Sequence, residues 1–313
     1  MSTEKSDTLA FVFPGQGSQS VGMLAELAAQ YPVVSETFAE AGMALGYDLW
    51  NLVQNGPAED LNQTDRTQPA LLAAGVAVWR VWQQRGGAVP AYMAGHSLGE
   101  YTALVCAGAL DFADAVALVA DRGRFMQEAV PVGRGAMAAI LGLDDDILRD
   151  ICADAAEGEV VEPVNFNAPG QVVIAGAKGA VERAMEKAKA AGAKRALPLP
   201  VSAPSHCALM KPAAERLAER LAKVRIEMPQ VPVLHNVDVA EAQNPEGIRE
   251  RLVAQLYSPV RWVETVQELA QRGVRTTIEC GPGKVLAGLN RRIDKNLDVL
   301  TVYDPDTLDK ALA

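Results

Sequence analysis

The stretch AYMAGHSLGEYTALVCAGAL, residues 91–110, decides the fold because a short buried strand, a tight turn and a helix of small residues follow one another in it. The turn GHSLG, residues 95–99, fits the G-x-S-x-G pattern that exposes a nucleophilic serine between a strand and a helix. The overlapping SLGE, residues 97–100, also fits the capping box that bonds the first amides of a helix. Two roles are therefore open for Ser97, nucleophile and helix cap. The strand before it and the helix after it favour the nucleophile.

Strands alternate with helices on both sides of this stretch. This order predicts an α/β fold whose mostly parallel sheet is covered by helices on both faces. Apolar runs predict strands at residues 9–13, 91–94, 231–236 and 275–279, the last of them final in the chain. Helical periodicity predicts helices at residues 21–29, 33–45, 69–84, 100–109, 207–224 and 245–256.

The order of the predicted elements changes between residues 135 and 200, where it is β-α-β-β-α-β. This order is that of the ferredoxin-like unit, and stretches typical of the larger α/β body stand on both sides of it. We therefore expect an inserted ferredoxin-like subdomain at residues 133–201, and a large hydrolase-like α/β domain built from residues 1–132 and 202–313.

Composition excludes several classes of protein. With 29 Lys and Arg against 39 Asp and Glu, the net charge of −10 disfavours binding to nucleic acids or anionic membranes. The four cysteines form no C-x-x-C pair, so neither a metal site nor a disulfide framework is expected. No basic start precedes an apolar run, and no apolar run reaches the length of a membrane span. A cytoplasmic protein without a membrane segment is expected.

A nucleophilic serine needs a base, and the chain has three histidines. His96 is next to Ser97, and adjacent side chains diverge at such a turn. His235 ends a predicted strand, where an ordinary hydrogen-bonded histidine is expected. His206 opens a predicted helix, whose dipole favours the neutral ring that a base requires, so His206 is the preferred candidate. No acidic third member stands out; Asp238 is one candidate, and a carbonyl group could orient the ring instead.

Arg122 lies on an apolar helical stripe. The members of the stripe recur at steps of three and four residues: Phe112, Ala115, Val119, Arg122 and Met126. A buried arginine needs a partner, which can be an internal carboxylate or the carboxylate of a substrate. Periodicity alone does not separate these two roles. Arg124 falls off the stripe and is expected to be solvated.

Two glycine-rich turns resemble nucleotide-binding loops. Gly15-Gln16-Gly17 follows an early strand, but Ser20 stands where a dinucleotide fingerprint has its third glycine. This turn is better suited to present a backbone amide as an oxyanion donor, together with the amide of Leu98. The turn GPGK, residues 281–284, is expected to be an ordinary connection between a strand and a helix.

Seven segments together resemble the malonyl-CoA:acyl-carrier-protein transacylases. The match runs from about residue 11 to residue 286, and the segments follow one another in this order: FPGQGSQ, GHSLGEY, RGRFMQ, NFNAPGQVVIAG, PVSAPSH, QLYSPVRW and ECGPGKVL. The resemblance implies a ping-pong reaction without a cofactor, in which malonyl passes from malonyl-CoA to the phosphopantetheine thiol of holo acyl carrier protein. A thioesterase of carboxylated acyl-CoA, an acyltransferase for another extender unit, and a scaffold in which Ser97 only caps a helix are the alternatives.

The resemblance also implies roles for individual residues. Ser97 is the nucleophile, His206 the base and Arg122 the clamp for the malonyl carboxylate. The backbone carbonyl of Gln255 orients the histidine without an acidic third member, and Asn167 lies near the substrate cleft. The oxyanion hole is formed by the amides of Gln16 and Leu98.

The sequence also bears on acyl selectivity and on docking of the carrier. The stretch before the base, APSH at residues 203–206, fits neither the malonyl nor the methylmalonyl code of the related polyketide-synthase acyltransferases. Selectivity is therefore inferred from Arg122 and from the resemblance as a whole. Acyl carrier proteins are usually acidic, and five basic residues are candidates for docking one: Lys187, Lys189, Lys194, Arg195 and Lys211.

Overall fold

The computed structural model describes residues 5–201 and 203–313, so Ser202, where the second part of the predicted large domain begins, lies outside it, as do residues 1–4. A five-stranded sheet forms the larger body, and all its neighbouring strands run parallel in the order β7-β2-β1-β8-β9. Its strands are β1 (Lys5–Phe13), β2 (Val89–Gly95), β7 (Val233–Leu234), β8 (Thr276–Cys280) and β9 (Asp298–Val302). The predicted α/β fold is thereby confirmed.

Helices cover both faces of this sheet. The central strand β1 shows why, because Phe11 and Phe13 pack into one hydrophobic cluster while Ala10 and Val12 pack into another. The helices that precede the second sheet in the chain are α1 (Ala25–Gln30), α2 (Val33–Leu45), α3 (Leu49–Asn55), α4 (Ala58–Leu61), α5 (Thr64–Gln84), α6 (Leu98–Cys106) and α7 (Phe112–Ala129). Those that follow it are α10 (Lys211–Leu221), α11 (Pro245–Gln255), α12 (Trp262–Gln271), α13 (Val285–Ile293) and α14 (Pro305–Leu312).

A second sheet forms between α7 and α10. Its four strands are antiparallel, in the order β4-β5-β3-β6, and two helices connect them. The elements are β3 (Gly135–Leu141), α8 (Asp145–Ala156), β4 (Val161–Ala168), β5 (Gln171–Ala177), α9 (Lys178–Ala190) and β6 (Arg195–Pro198). They follow one another in the predicted order β-α-β-β-α-β.

Backbone hydrogen bonds join the second sheet to the segment between α11 and α12 of the larger body. The amide of Phe166 in β4 donates to the carbonyl of Val260 at 3.0 Å, and the amide of Val260 donates to Val164 at 2.8 Å. Ala168, at the end of β4, belongs to the hydrophobic cluster beneath one face of the parallel sheet. The antiparallel unit is therefore fastened beside the carboxyl ends of the parallel strands, and a cleft lies between the two units.

Several predicted boundaries were wrong. The helix expected from residue 69 begins at Thr64, so Pro69 lies inside α5 and not at its first position. The helix expected from residue 207 is divided into a 3-10 turn (Ala208–Met210) and α10. The strand at residues 275–279 is not the last, since β9 follows it. The helix expected at residues 21–29 is the shorter α1.

Two glycines allow the sharp turn between β2 and α6. A Cβ atom on Gly95 would lie 1.9 Å from the carbonyl carbon of Gly99, and one on Gly99 would lie 2.0 Å from the carbonyl oxygen of Phe13. Such contacts exclude a side chain at either position. In the described part of the chain, no helix has the length and apolar character needed to cross a membrane.

Candidate active site

The carboxyl ends of three neighbouring parallel strands bring distant segments to one edge of the sheet. Gln16 follows β1, Ser97 follows β2, and Asn236 follows β7. Ser97 has φ 51° and ψ −110°, a sparsely populated conformation for a residue with a side chain. Its amide donates to Asn236 Oδ1 at 2.8 Å, while Asn236 Nδ2 donates to the carbonyl of Gly95 at 2.7 Å. Asn236 thus fixes the strained turn from both sides.

The capping-box interpretation of residues 97–100 was wrong. The Ser97 side chain makes no capping hydrogen bond to α6. Glu100 is fully buried, and its carboxylate accepts from His235 Nδ1, the Asn236 amide and Gln255 Nε2 at 2.7–2.9 Å. Both side chains of the expected box are directed to other partners, and Ser97 Oγ is left to make a different contact.

That contact is with His206, whose Nε2 lies 2.7 Å from Ser97 Oγ. The other ring nitrogen, Nδ1, lies 2.7 Å from the carbonyl oxygen of Gln255, and the His206 amide donates to the carbonyl of Leu256 at 2.9 Å. Gln255 is the last residue of α11, where backbone carbonyls have no partner inside the helix. The carboxyl end of α11 therefore holds both the backbone and the ring of His206.

The hydrogen bonds define the tautomer of His206. A carbonyl oxygen only accepts, so Nδ1 carries the proton and Nε2 has a lone pair facing the hydroxyl of Ser97. Burial lowers the pKa of His206 to about 3, and the positive charge of Arg122 lowers it as well. The ring is thus neutral at physiological pH. The predicted reason, the start of a helix at residue 207, was wrong, because a 3-10 turn separates His206 from α10.

The other candidates for the triad lie elsewhere. Asp238 makes an ion pair with Arg251 at 2.7 Å and has no contact with His206. His235 is buried and bonded to Glu100, which agrees with the expected structural role. His96 Nε2 lies 2.8 Å from Asn167 Oδ1, and burial lowers the pKa of His96.

Arg122 is 1% exposed, and two neutral amides hold its guanidinium. Nη1 donates to Gln68 Oε1 at 2.8 Å, and Nη2 donates to Gln255 Oε1 at 2.9 Å. No carboxylate of the described residues forms an ion pair with it. Each terminal nitrogen carries a second N–H, and together these can form the fork that binds a carboxylate through two hydrogen bonds. Arg124, in contrast, is exposed and pairs with Asp121.

These groups meet in the cleft between the two sheets. Its walls include both polar and apolar side chains: Gln16, Thr64, His96, Ser97, Arg122, Met126, Met137, Asn165, Leu199, Val201, Ala203, Ser205 and His206. Leu98 is the first residue of α6, so its amide belongs to the turn of the helix that has no internal acceptor. Asn167 lies next to the cleft, since its Oδ1 is 2.8 Å from Nε2 of His96, a lining residue; Asn165 also lines the cleft.

Four functional side chains were not found from the sequence. Gln68, Glu100, Asn236 and the side chain of Gln255 support the reactive groups, yet each is a buried polar residue without a local motif for this role. Gln68 lies in α5, a helix that is buried along most of its length.

A serine at a strand–helix turn with a neutral histidine bonded to its hydroxyl is the arrangement of serine-dependent acyl-transfer enzymes. Comparison with known proteins gives the family. The model of the acyl transferase domain matches residues 10–304, and the chain belongs to this family.

Individual relatives agree over nearly the whole chain. The malonyl CoA-acyl carrier protein transacylase of Escherichia coli K12 is 65% identical over 303 residues, which are 97% of this chain and 98% of the relative. The crystal structure of an acyl carrier protein S-malonyltransferase from Vibrio cholerae superposes with a TM-score of 0.95 at 64% identity, covering 97% of this chain and 99% of the other. A malonyl-transacylase solved in complex with its type II PKS acyl-carrier protein gives 0.96 at 60% identity, covering 97% and 98%.

Proposed function

We propose that the protein transfers a malonyl group from malonyl-CoA to the phosphopantetheine thiol of holo acyl carrier protein, with an acyl-enzyme on Ser97. The observation that carries this proposal is the buried guanidinium of Arg122, which shares a cleft with the Ser97–His206 pair. A hydrolase of neutral acyl esters has no need of a cation there. The names of the relatives give the same donor and acceptor.

In the first half-reaction, Ser97 Oγ attacks the thioester carbonyl of malonyl-CoA while its proton moves to His206 Nε2. Negative charge develops on the carbonyl oxygen, and the amides of Gln16 and Leu98 donate to it. When the tetrahedral intermediate collapses, the carbon–sulfur bond breaks. The departing coenzyme A sulfur takes the proton from His206 and leaves as the thiol.

The second half-reaction repeats these steps with the carrier thiol as the nucleophile. The thiol gives its proton to His206 as its sulfur attacks the ester carbonyl of malonyl-Ser97. Collapse of the second intermediate breaks the bond to Ser97 Oγ, which recovers the proton from the imidazolium. The enzyme returns to its starting state, and malonyl carrier protein leaves.

Arg122 gives the site its preference for a carboxylated acyl chain. Its fork binds the free carboxylate of malonyl through charge-assisted hydrogen bonds, which an acetyl group cannot form. The Gln68 and Gln255 side chains hold the fork by their oxygens. These amides are neutral, so they orient the cation without neutralising it.

The carbonyl of Gln255 takes the place of the carboxylate in a serine triad. It holds the Nδ1 proton and thereby keeps Nε2 as the acceptor. The carboxyl end of α11 also carries the partial negative charge of the helix dipole, which stabilises the imidazolium formed during transfer.

The proposed fold assignment is a hydrolase-like core at residues 1–132 and 202–313 with a ferredoxin-like insertion at residues 133–201. The order β4-β5-β3-β6 and the sequence of elements β-α-β-β-α-β support the insertion. The serine turn after β2 supports the core assignment. A cytoplasmic location is supported by the four cysteines, all of which are free.

Basic residues near the insertion are proposed to dock the carrier. Lys189, Lys194, Arg195 and Lys211 are exposed, whereas Lys187 forms an ion pair with Asp154. An acidic carrier is attracted to such a surface despite the negative net charge of the protein. Reversal of charge at Arg195 should raise the KM for the carrier and leave the KM for malonyl-CoA unchanged. An unchanged carrier KM, with Lys194 also reversed, would remove this surface from the proposal.

The function is tested by incubating the protein with malonyl-CoA, with and without holo carrier protein. The proposal expects rapid formation of malonyl carrier protein and slow release of free malonate. Rapid malonate release that the carrier does not affect would identify a hydrolase instead. Absence of an acyl adduct under conditions that trap acyl-enzymes would support a scaffold.

A further inference from the structure

Glu100 is a buried carboxylate that the acyl-transfer steps do not use. Its Oε1 accepts from His235 Nδ1 at 2.7 Å, and its Oε2 accepts from the Asn236 amide and Gln255 Nε2, both at 2.9 Å. Two N–H groups therefore point at one carboxylate oxygen, an arrangement that stabilises negative charge there. Glu100 lies in the first turn of α6, where the helix dipole also favours an anion.

One amide side chain connects this anion to Arg122. Gln255 Nε2 donates to Glu100 Oε2, and on the other side Gln255 Oε1 accepts from Arg122 Nη2 at 2.9 Å. Glu100 and Gln255 are fully buried, and Arg122 nearly so. A buried cation and a buried anion are therefore joined by two hydrogen bonds while remaining out of direct contact.

This separation matters for the binding of an acyl carboxylate. Burial lowers the pKa of Arg122, while Tyr101 and Glu100 raise it, so the two charges act on each other across the amide. In a direct ion pair, Glu100 would occupy the fork. Without a negative charge nearby, the buried guanidinium of Arg122 would hold any anion tightly, because opposite charges attract strongly away from water.

We propose that Glu100 is the counter-ion of Arg122 and that it limits how tightly the site binds a carboxylated acyl group. This inference rests on the proposed function, since it specifies how Arg122 treats the malonyl carboxylate. Malonyl is then held firmly enough for selection, yet the carboxylate is released when the carrier thiol takes the acyl group. Glu100 is a positioning residue, because it acts through Gln255 and does not contact the acyl chain.

The variant Glu100→Gln tests the charge without changing the shape. Its amide oxygen can accept from Asn236 and Gln255, and its amide nitrogen can donate to the other tautomer of the His235 ring. The dissociation constant of free malonate is measured by calorimetry at pH 8. Removal of the negative charge should tighten malonate binding by about tenfold. A gain in affinity does not arise from damage to the fold, so the result separates the counter-ion role from a structural one.

Glu279→Gln is the matched control. Glu279 is also a fully buried glutamate, but its carboxylate bonds the amides of Leu286 and Ala287 at the start of α13 and has no contact with Arg122 or Gln255. Burial raises its pKa to about 7, so the control also removes a largely negative group at pH 8. Malonate affinity should not change in this variant.

Three outcomes would overturn the inference: unchanged or weaker malonate binding in Glu100→Gln, equal tightening in Glu279→Gln, or no detectable malonate binding in either the wild type or Glu100→Gln. The dissociation constant needs no turnover, so transfer assays on the wild type decide separately whether the proposed function holds.

Discussion

The amide of Ser97 and the side chain of Asn236 are joined by a hydrogen bond of 2.8 Å, although 139 residues separate them in the chain. The same side chain donates to the carbonyl of Gly95. Asn236 is fully buried, so both hydrogen bonds lie away from solvent. The strained backbone of the nucleophile is therefore held by a residue from a neighbouring strand.

Asn236→Ala should destabilise the protein and slow acylation of Ser97. Two buried backbone groups lose their partners, and each costs about 1–3 kcal/mol of the free energy of unfolding. Urea unfolding measures this loss. Asn55→Ala is the control, because Asn55 is exposed and bonds another exposed side chain, and its effect should stay within about 0.5 kcal/mol. Equal stabilities of the two variants would show that Asn236 does not support the turn.

Arg122→Ala should remove the preference for malonyl over acetyl groups. The value of kcat/KM for malonyl-CoA is expected to fall about 10- to 100-fold, the worth of a charge-assisted pair, with a smaller change for acetyl-CoA. Arg124→Ala is the control, since Arg124 lies two residues away, exposed and paired with Asp121. Equal losses for both acyl groups in Arg122→Ala would contradict the carboxylate clamp.

The pH dependence should report the low pKa of His206. A base works in its neutral form, and a pKa of about 3 keeps the ring neutral far below the ordinary value for histidine, about 6.5. The kcat/KM for malonyl-CoA should therefore show no loss that is assignable to His206 between pH 7 and about pH 5. A fall in kcat/KM below about pH 6.5 that is caused by protonation of His206 would contradict this.

The pH dependence of kcat/KM in Arg122→Gln shows whether Arg122 raises or lowers the pKa of His206. Arg122 lowers the pKa of His206 through its positive charge, so removing that charge should move the acid limb upward. Acetyl-CoA is the substrate for this comparison, because its transfer does not need the clamp. A downward shift, or the same shift in Arg124→Gln, would contradict the coupling.

The sequence predicts the parts of the site that have a local pattern. Ser97 is marked by the glycines around it and by the change from strand to helix, and Arg122 by its place on an apolar stripe. His206 was preferred for a reason that the structure does not support, since burial rather than a helix start accounts for its neutral ring. The position of the residue was informative even though the physical argument was not.

The remaining supports depend on contacts between distant segments. Arg122 bonds Gln68 and Gln255, which lie 54 and 133 residues away, and Glu100 bonds His235 at a distance of 135 residues. These pairs form only when the strands are ordered in the sheet, so no local periodicity of the sequence predicts them. For Glu100, the local capping pattern even predicted another partner.

The elements that were missed in the fold have a similar cause. The helices α3 and α4 have seven and four residues, too few to show a period of 3.6. The helix predicted from residue 69 begins at Thr64, because the apolar run that predicts it is preceded by the polar residues 64–68, which also belong to α5. Strand order was not predictable, since the neighbours of β1 are separated from it by whole helices.

The central claim is that Ser97 carries the acyl group, and peptide mapping tests it most directly. The protein is exposed briefly to malonyl-CoA, quenched in acid, digested and analysed by mass spectrometry. The account predicts a malonyl adduct on Ser97 that disappears when holo carrier protein is added before the quench, and no such adduct in Ser97→Ala. An adduct on any other residue that is equally transferred to the carrier, or transfer that survives in Ser97→Ala, would contradict it.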